Sequence, residues 1–104
     1  MGAVLGDFMK FECRSKQSEA KGNLKAVYVA EESFRAEFDT YDKDMKKIGF
    51  EPRGTKIRYR YELVSAKNTA FLAKAIGIDE MAGDEWTISD KNDLVNTKQL
   101  CGPP

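Results

Sequence analysis

The chain of 104 residues contains no histidine. That removes the commonest general base and the commonest metal ligand together. Cysteine occurs only twice, at Cys13 and Cys101. Two thiols without histidine cannot make a structural zinc site. Neither charge sign is in excess, because 17 Lys and Arg stand against 17 Asp and Glu. A general nucleic-acid binder carries a clear basic surplus, and this chain does not. No apolar run approaches the ~20 residues of a membrane helix. Met1–Leu5 is too short and too weakly apolar for a signal peptide. What is present suits one small soluble globular domain: 41% hydrophobic and 33% charged residues, too apolar for a disordered chain.

From Phe8 to about Tyr41 there is no proline, and the only interior glycine is Gly22. Apolar residues recur at Leu24, Val27, Tyr28, Phe34, Phe38 and Tyr41, mostly three, four or seven apart. That spacing predicts a helix over about 8–41 with one apolar stripe, and Ala20 and Glu31 lie on or beside it. Good helix formers fill the remaining positions. Before Leu24 the stripe is mostly polar, so the N-terminal half is expected to project with its partner elsewhere. Residues 42–55 read as a loop, with Pro52-Arg53-Gly54 as a turn signal. The period then changes. Lys56 to Leu63 alternates charged and apolar residues, which predicts a strand with Ile57, Tyr59, Tyr61 and Leu63 on its buried face. Ala70–Ile76, Glu85–Ile88 and Leu94-Val95 read as further short strands. The expected fold is α+β: a long N-terminal helix on a small three- or four-stranded antiparallel meander sheet. The sheet region spans 56–96, residues 97–101 form a tail, and 102–104 read as a flexible end. The expected core joins Leu24, Val27, Tyr28, Phe34 and Phe38 to Tyr59, Tyr61, Phe71 and Trp86.

Candidate sites are few. Asp79, Glu80, Asp84 and Glu85 surround Gly83 without the spacing of a calcium loop, and read as a solvated acidic turn. Asp90 and Asp93 read the same way. Arg53, Lys56, Arg58 and Arg60 carry four positive charges in eight residues. Arg58 and Arg60 should share the outer face of the first strand, away from Tyr59 and Tyr61. Stacking and charge are therefore separated, and weak phosphate or DNA contact is only the secondary reading. No serine has a histidine to activate it, and Cys13 has no Cys-x-x-Cys partner. Glu31 and Glu32 read as ordinary solvated helix residues. The chain is expected to be no enzyme, with no cofactor, metal or small-molecule substrate. Cys13 and Cys101 are expected to form a disulfide, with a pair of free thiols as the alternative. A bridge would close a loop of about 88 residues, for which chain entropy gives roughly 4–5 kcal/mol, and would point outside the cytosol. Charge falls in blocks. Residues 10–25 hold five positive and two negative charges, and residues 79–93 hold six negative and one positive. Such opposed patches suit self-association.

The run Phe8-Met9-Lys10-Phe11-Glu12-Cys13-Arg14-Ser15-Lys16-Gln17-Ser18-Glu19-Ala20-Lys21-Gly22-Asn23-Leu24-Lys25-Ala26-Val27-Tyr28-Val29-Ala30-Glu31-Glu32-Ser33-Phe34 resembles the stretch after the membrane segment in bacterial type IV pilins. Phe38-Asp39-Thr40-Tyr41 resembles the end of their long helix. Phe71-Leu72-Ala73-Lys74-Ala75 and Asp84-Glu85-Trp86-Thr87-Ile88-Ser89, followed by Asn92, Leu94 and Asn96, resemble strands of short major pilins. The resemblance covers about residues 8–101, and its helix part is the more specific.

The resemblance implies a precursor with a leader cut by a prepilin peptidase, a methylated N-terminal phenylalanine, and ~25 apolar residues that anchor the subunit and later form the filament core. This sequence lacks that half-helix, and residues 1–7 read as a replacement for it. The implied role is a structural subunit of type IV pilus filaments, serving adhesion, surface motility or related pilus roles. Its implied partners are other copies of itself and the pilus assembly machinery. The implied location is an extracellular filament, anchored in the inner membrane before assembly. Phe8, Met9 and Phe11 would face neighbouring helices in the filament. Many pilins bridge two cysteines of the C-terminal region. Here a Cys13–Cys101 bridge must fold the tail back along the helix, and failing that both thiols are open to subunit contacts. The alternatives are a type II secretion pseudopilin and a minor pilin that binds DNA through Arg53, Lys56, Arg58 and Arg60.

Overall fold

The computed structural model describes residues 2–54 and 56–102, with side chains from Glu12 onward. One helix, α1 (Gly2–Phe38), is followed by four strands: β1 (Tyr59–Ala66), β2 (Phe71–Gly77), β3 (Glu85–Ser89) and β4 (Val95–Lys98). The strands pair antiparallel in the order β1-β2-β3-β4. The molecule measures 56 × 25 × 17 Å, its long dimension close to the ~1.5 Å per residue of a helix this size.

The helix meets the sheet along a regular track. Gln17, Ala20, Leu24, Val27, Glu31 and Phe34 are all buried, at alternating steps of three and four. Across from them lie Tyr59 and Leu63 of β1, Ala73 and Ala75 of β2, and Ile88 of β3, all buried. The two alanines in the second strand leave room for a helix to lie close. β2 buries every second residue from Phe71 to Gly77, which resolves a facing that the sequence leaves ambiguous. Gly77 is required where it stands. A Cβ there would run into the backbone carbonyl of Met81 in the 3-10 turn Asp79–Met81 that folds over it.

The helix begins at Gly2 and not near Phe8, and three further boundaries differ from the sequence reading. The helix stops at Phe38, three residues before Tyr41. Asp39 takes a left-handed φ of 61° and its N–H still reaches the Arg35 carbonyl at 2.8 Å, a helix stop that aspartate tolerates. The chain then turns back and lays Tyr41 edge-on against Phe71, with ring centroids 4.9 Å apart. Tyr41 is thus buried from the loop, not from the helix. Phe38 is left outboard, 56% exposed and touching Phe34 at 4.5 Å between centroids. Its assignment to the helix-to-sheet core is corrected accordingly.

The second difference is at β1, which begins at Tyr59 and not at Lys56. In the lead-in, the Arg58 N–H bonds the Glu19 carboxylate at 2.8 Å and no sheet neighbour. The alternation therefore does not extend to Ile57, which is 44% exposed. Third, β4 occupies Val95–Lys98, displaced toward residues assigned to the tail.

Candidate functional site

Polar side chains on the helix do what apolar ones cannot: they fix the irregular segments. Gln17, Asn23 and Glu31 are buried on α1, and each holds a different stretch of chain.

Gln17 reaches the tail. Its Nε2 donates to Asp84 Oδ1 at 2.9 Å and to Gln99 Oε1 at 2.8 Å. Asp84, 1% exposed, collects three further donors. The Tyr59 hydroxyl reaches Oδ2 at 2.6 Å and the Trp86 Nε1–H at 2.8 Å, while the Leu100 N–H reaches Oδ1 at 3.1 Å. One carboxylate thereby joins helix, β1, β3 and tail. Burial pushes the Asp84 carboxyl up, but the donations from Tyr59, Leu100, Gln17 and Trp86 outweigh it and hold it below its ordinary value. Burial first, then the Asp84 charge, pushes the Tyr59 hydroxyl up, so it stays protonated and donates.

One turn before Gln17, Cys13 is bonded to Cys101, with Cα atoms 5.6 Å apart. This disulfide fastens the tail along the helix. Gly102 follows in a left-handed conformation, φ 78°.

Asn23 holds the far end of the loop. Its Oδ1 accepts from the Arg53 N–H at 3.0 Å and its Nδ2 donates to the Arg53 carbonyl at 3.3 Å. The carboxamide thus serves the Arg53 peptide groups as a neighbouring strand would. The same Nδ2 donates to the Tyr61 hydroxyl at 2.9 Å. Phe50 packs edge-on against Tyr61, centroids 5.7 Å apart. Grooves flank this loop on both sides. Ala26, Val29, Ile48 and Phe50 line one, and Met45, Pro52, Ile57 and Ile78 line the other.

Glu31 holds the beginning of the loop. Its Oε1 accepts the Asp42 N–H at 3.0 Å, and its Oε2 has no hydrogen-bond partner. The next residue, Glu32, accepts from the Tyr41 hydroxyl at 2.7 Å.

These placements correct several sequence expectations. Glu31 is not a solvated helix residue. It is fully buried, because the loop doubles back over it. Asp84 is not part of a solvated turn either. Glu80 does face solvent, where it gathers Lys56 at 2.8 Å, Lys16 at 3.0 Å and Arg58 at 3.1 Å. Lys56, then Lys16 and Arg58, draw its carboxyl down to about 2. The basic cluster is consequently divided. Lys56 and Arg58 are spent on Glu80, Arg58 also binds Glu19 at 3.1 Å, Arg53 is held through its backbone, and Arg60 is exposed on β1. Arg58 and Arg60 do not share an outer face, because Arg58 precedes the strand and turns to the helix. The two charge blocks also meet inside one molecule: Lys16 pairs with Glu80, Lys25 Nζ donates to Asn92 at 2.7 Å, and Lys21 lies over the Trp86 ring at 5.4 Å. Tyr28, Tyr61 and Trp86 are half-buried against the core, while Leu24, Val27, Phe34, Tyr59 and Phe71 lie within it. The side chains of Phe8, Met9 and Phe11 lie outside the described residues.

Among the described residues no group of three or more acidic or cysteine side chains could hold a metal ion, and no helix is long and apolar enough to cross a membrane. The arrangement binds one part of the chain to another. Gln17 and Glu31 carry a sequence signal that polarity masks, since both keep the three-four spacing of the buried track. Nothing in the sequence marks Asp84 apart from the acidic residues beside it.

A long helix laid on a four-stranded antiparallel meander, with a cystine pinning the tail to the helix, is the class of α+β head these residues build. Residues 11–92 match the type IV pilin PilA family, and the chain belongs to that family. It is 54% identical over 89 residues to the type IV major pilin protein PilA of Myxococcus xanthus (strain DK1622). The match takes in 80% of this chain and 40% of that protein, so the chain spans well under half of its relative's length. The crystal structure of the Neisseria meningitidis non-core minor pilin PilV superposes with a TM-score of 0.72, over 91% of this chain and 96% of that one. At 14% identity this likeness speaks for the fold alone.

Proposed function

We propose that this chain is the head of a structural subunit of type IV pilus filaments, built for packing and not for catalysis. The observation that carries the reading is membership of the PilA family over residues 11–92, with the relationship to a major pilin beside it. From Cys13 onward the helix is tied to its own head by the disulfide and by the buried track from Gln17 to Phe34, an arrangement made for packing. Self-association into a helical filament, handling by the pilus assembly machinery, and an extracellular location after anchoring in the inner membrane follow from the same reading. Phe8, Met9 and Phe11 would face neighbouring helices, each worth about 1.5–3 kcal/mol on full burial. Adhesion and surface motility are the roles such a filament would serve.

Assembly in cells tests this. A version carrying a processing leader and an apolar segment of roughly 25 residues ahead of Phe8 should enter filaments when the assembly machinery is present. A version that is processed and folded but stays monomeric there would contradict the reading.

A further inference from the structure

We propose that Glu31 is a proton-operated pin that holds the start of the 39–54 loop on the helix, firmly when its carboxyl is neutral and weakly when it is ionised. The proposal does not depend on filament assembly. Glu31 has no exposed surface. One backbone donor, the Asp42 N–H, serves one of its oxygens, and the other oxygen has no partner. An ionised carboxylate in such a place needs several donors or a cation.

The surroundings supply neither. On the helix, Glu32 beside it is acidic and accepts from Tyr41. Arg35, one turn on, is turned away: its guanidinium lies 5.4 Å from the Tyr41 ring centre and its Nε donates to the Asn68 carbonyl. In the loop, Asp42 is acidic and pairs with Lys47 at 3.3 Å. On β2, the Phe71 ring packs on Tyr28 and Tyr41 and brings no charge. Asp90, in the turn after β3, adds negative charge near Tyr41. No ion pair reaches Glu31 among the described residues. Burial therefore pushes its carboxyl up, the Asp42 N–H pulls it down, and the Asp42 and Glu32 charges push it up again, to about 7.

The consequence is local. Opening of the segment around Asp42 returns Glu31 to water, where it ionises near its ordinary 4.5. Between that pH and about 7, each pH unit favours the open form by up to about tenfold. What opens is the start of the loop whose later part presents Lys46, Glu51 and Arg53 at the surface.

The test follows the Glu31 carboxyl carbon by NMR, and amide exchange at Asp42, from pH 5 to 8.5. Wild type is compared with Glu31→Gln. The Glu31 carbon should titrate near neutrality. The Asp42 protection factor should fall by at least about tenfold in wild type and by less than about twofold in the variant. Glu31 titrating in the ordinary carboxylate range would overturn the proposal, and so would an equal loss of protection in both proteins. If Glu31→Gln does not fold, the wild-type titration and its coincidence with Asp42 exposure decide alone. Asp42 protection unchanged through the Glu31 titration would then refute the pin.

Discussion

Asp84 and Glu31 are both carboxylates sealed from water, one at the cystine end of the head and one at the loop end. Asp84 receives four donors from four parts of the chain, and Glu31 receives one. Burial acts on both in the same direction, so the donors decide the sign. Asp84 is held below its ordinary value and stays charged, while Glu31 is raised to about 7. The comparison teaches that a buried charge is set by its hydrogen bonds more than by its depth. It also separates a fixed end, where helix, tail and sheet share one acceptor beside a disulfide, from an adjustable end, where a loop is held by a group that can change state.

The linkage signs are opposite. Asp84 is lowered when folded, so its contribution is present above its unfolded value and is lost as pH falls through the folded one. Glu31 is raised, so its contribution is full below 4.5 and is lost as pH rises toward about 7.

The largest effect should come from breaking the fixed end. Asp84→Ala leaves the buried Tyr59 hydroxyl, the Trp86 N–H and the Leu100 N–H without this acceptor and Gln17 with Gln99 alone, and an unpaired buried donor costs about 1–3 kcal/mol before relaxation. A loss of at least about 4 kcal/mol in denaturant unfolding is predicted, together with loss of the acid limb of the stability profile. A loss below about 1 kcal/mol would show that the tail and helix are held without it.

A smaller effect sharpens the adjustable end. Phe34 is 8% exposed and its neighbour Phe38 is 56% exposed. Phe34→Ala should cost about 3 kcal/mol, and Phe38→Ala less than about 1 kcal/mol. Equal costs would place the helix end deeper in the core than the structure does.

Much of this architecture is legible from residue types. The helix stripe from Leu24, the alternation after Tyr59 and the breakers between strands follow from local periodicity. What escapes is polar burial. Gln17 and Glu31 occupy track positions, but polar residues there ordinarily mean exposure. Their burial depends on a tail and a loop that return from 82 and 11 residues away in sequence. Arg58 and Lys56 looked like an outward basic surface because their counter-charge, Glu80, lies across a sheet connection that periodicity does not reveal. Phe38 misled for the converse reason: the stripe continues to it, but Asp39 ends the helix and the returning chain seats Tyr41 in the core instead.

The most direct test of the filament-subunit reading is a side-chain-resolution reconstruction of filaments assembled from a version that carries an apolar helical segment ahead of Phe8. The account predicts that α1 ahead of Cys13 lies in a helix bundle with Phe11 buried between neighbouring subunits, and that the Gln17–Asp84–Tyr59 network and the disulfide are intact in each head. Filaments in which Phe11 faces solvent or packs on its own sheet would contradict it.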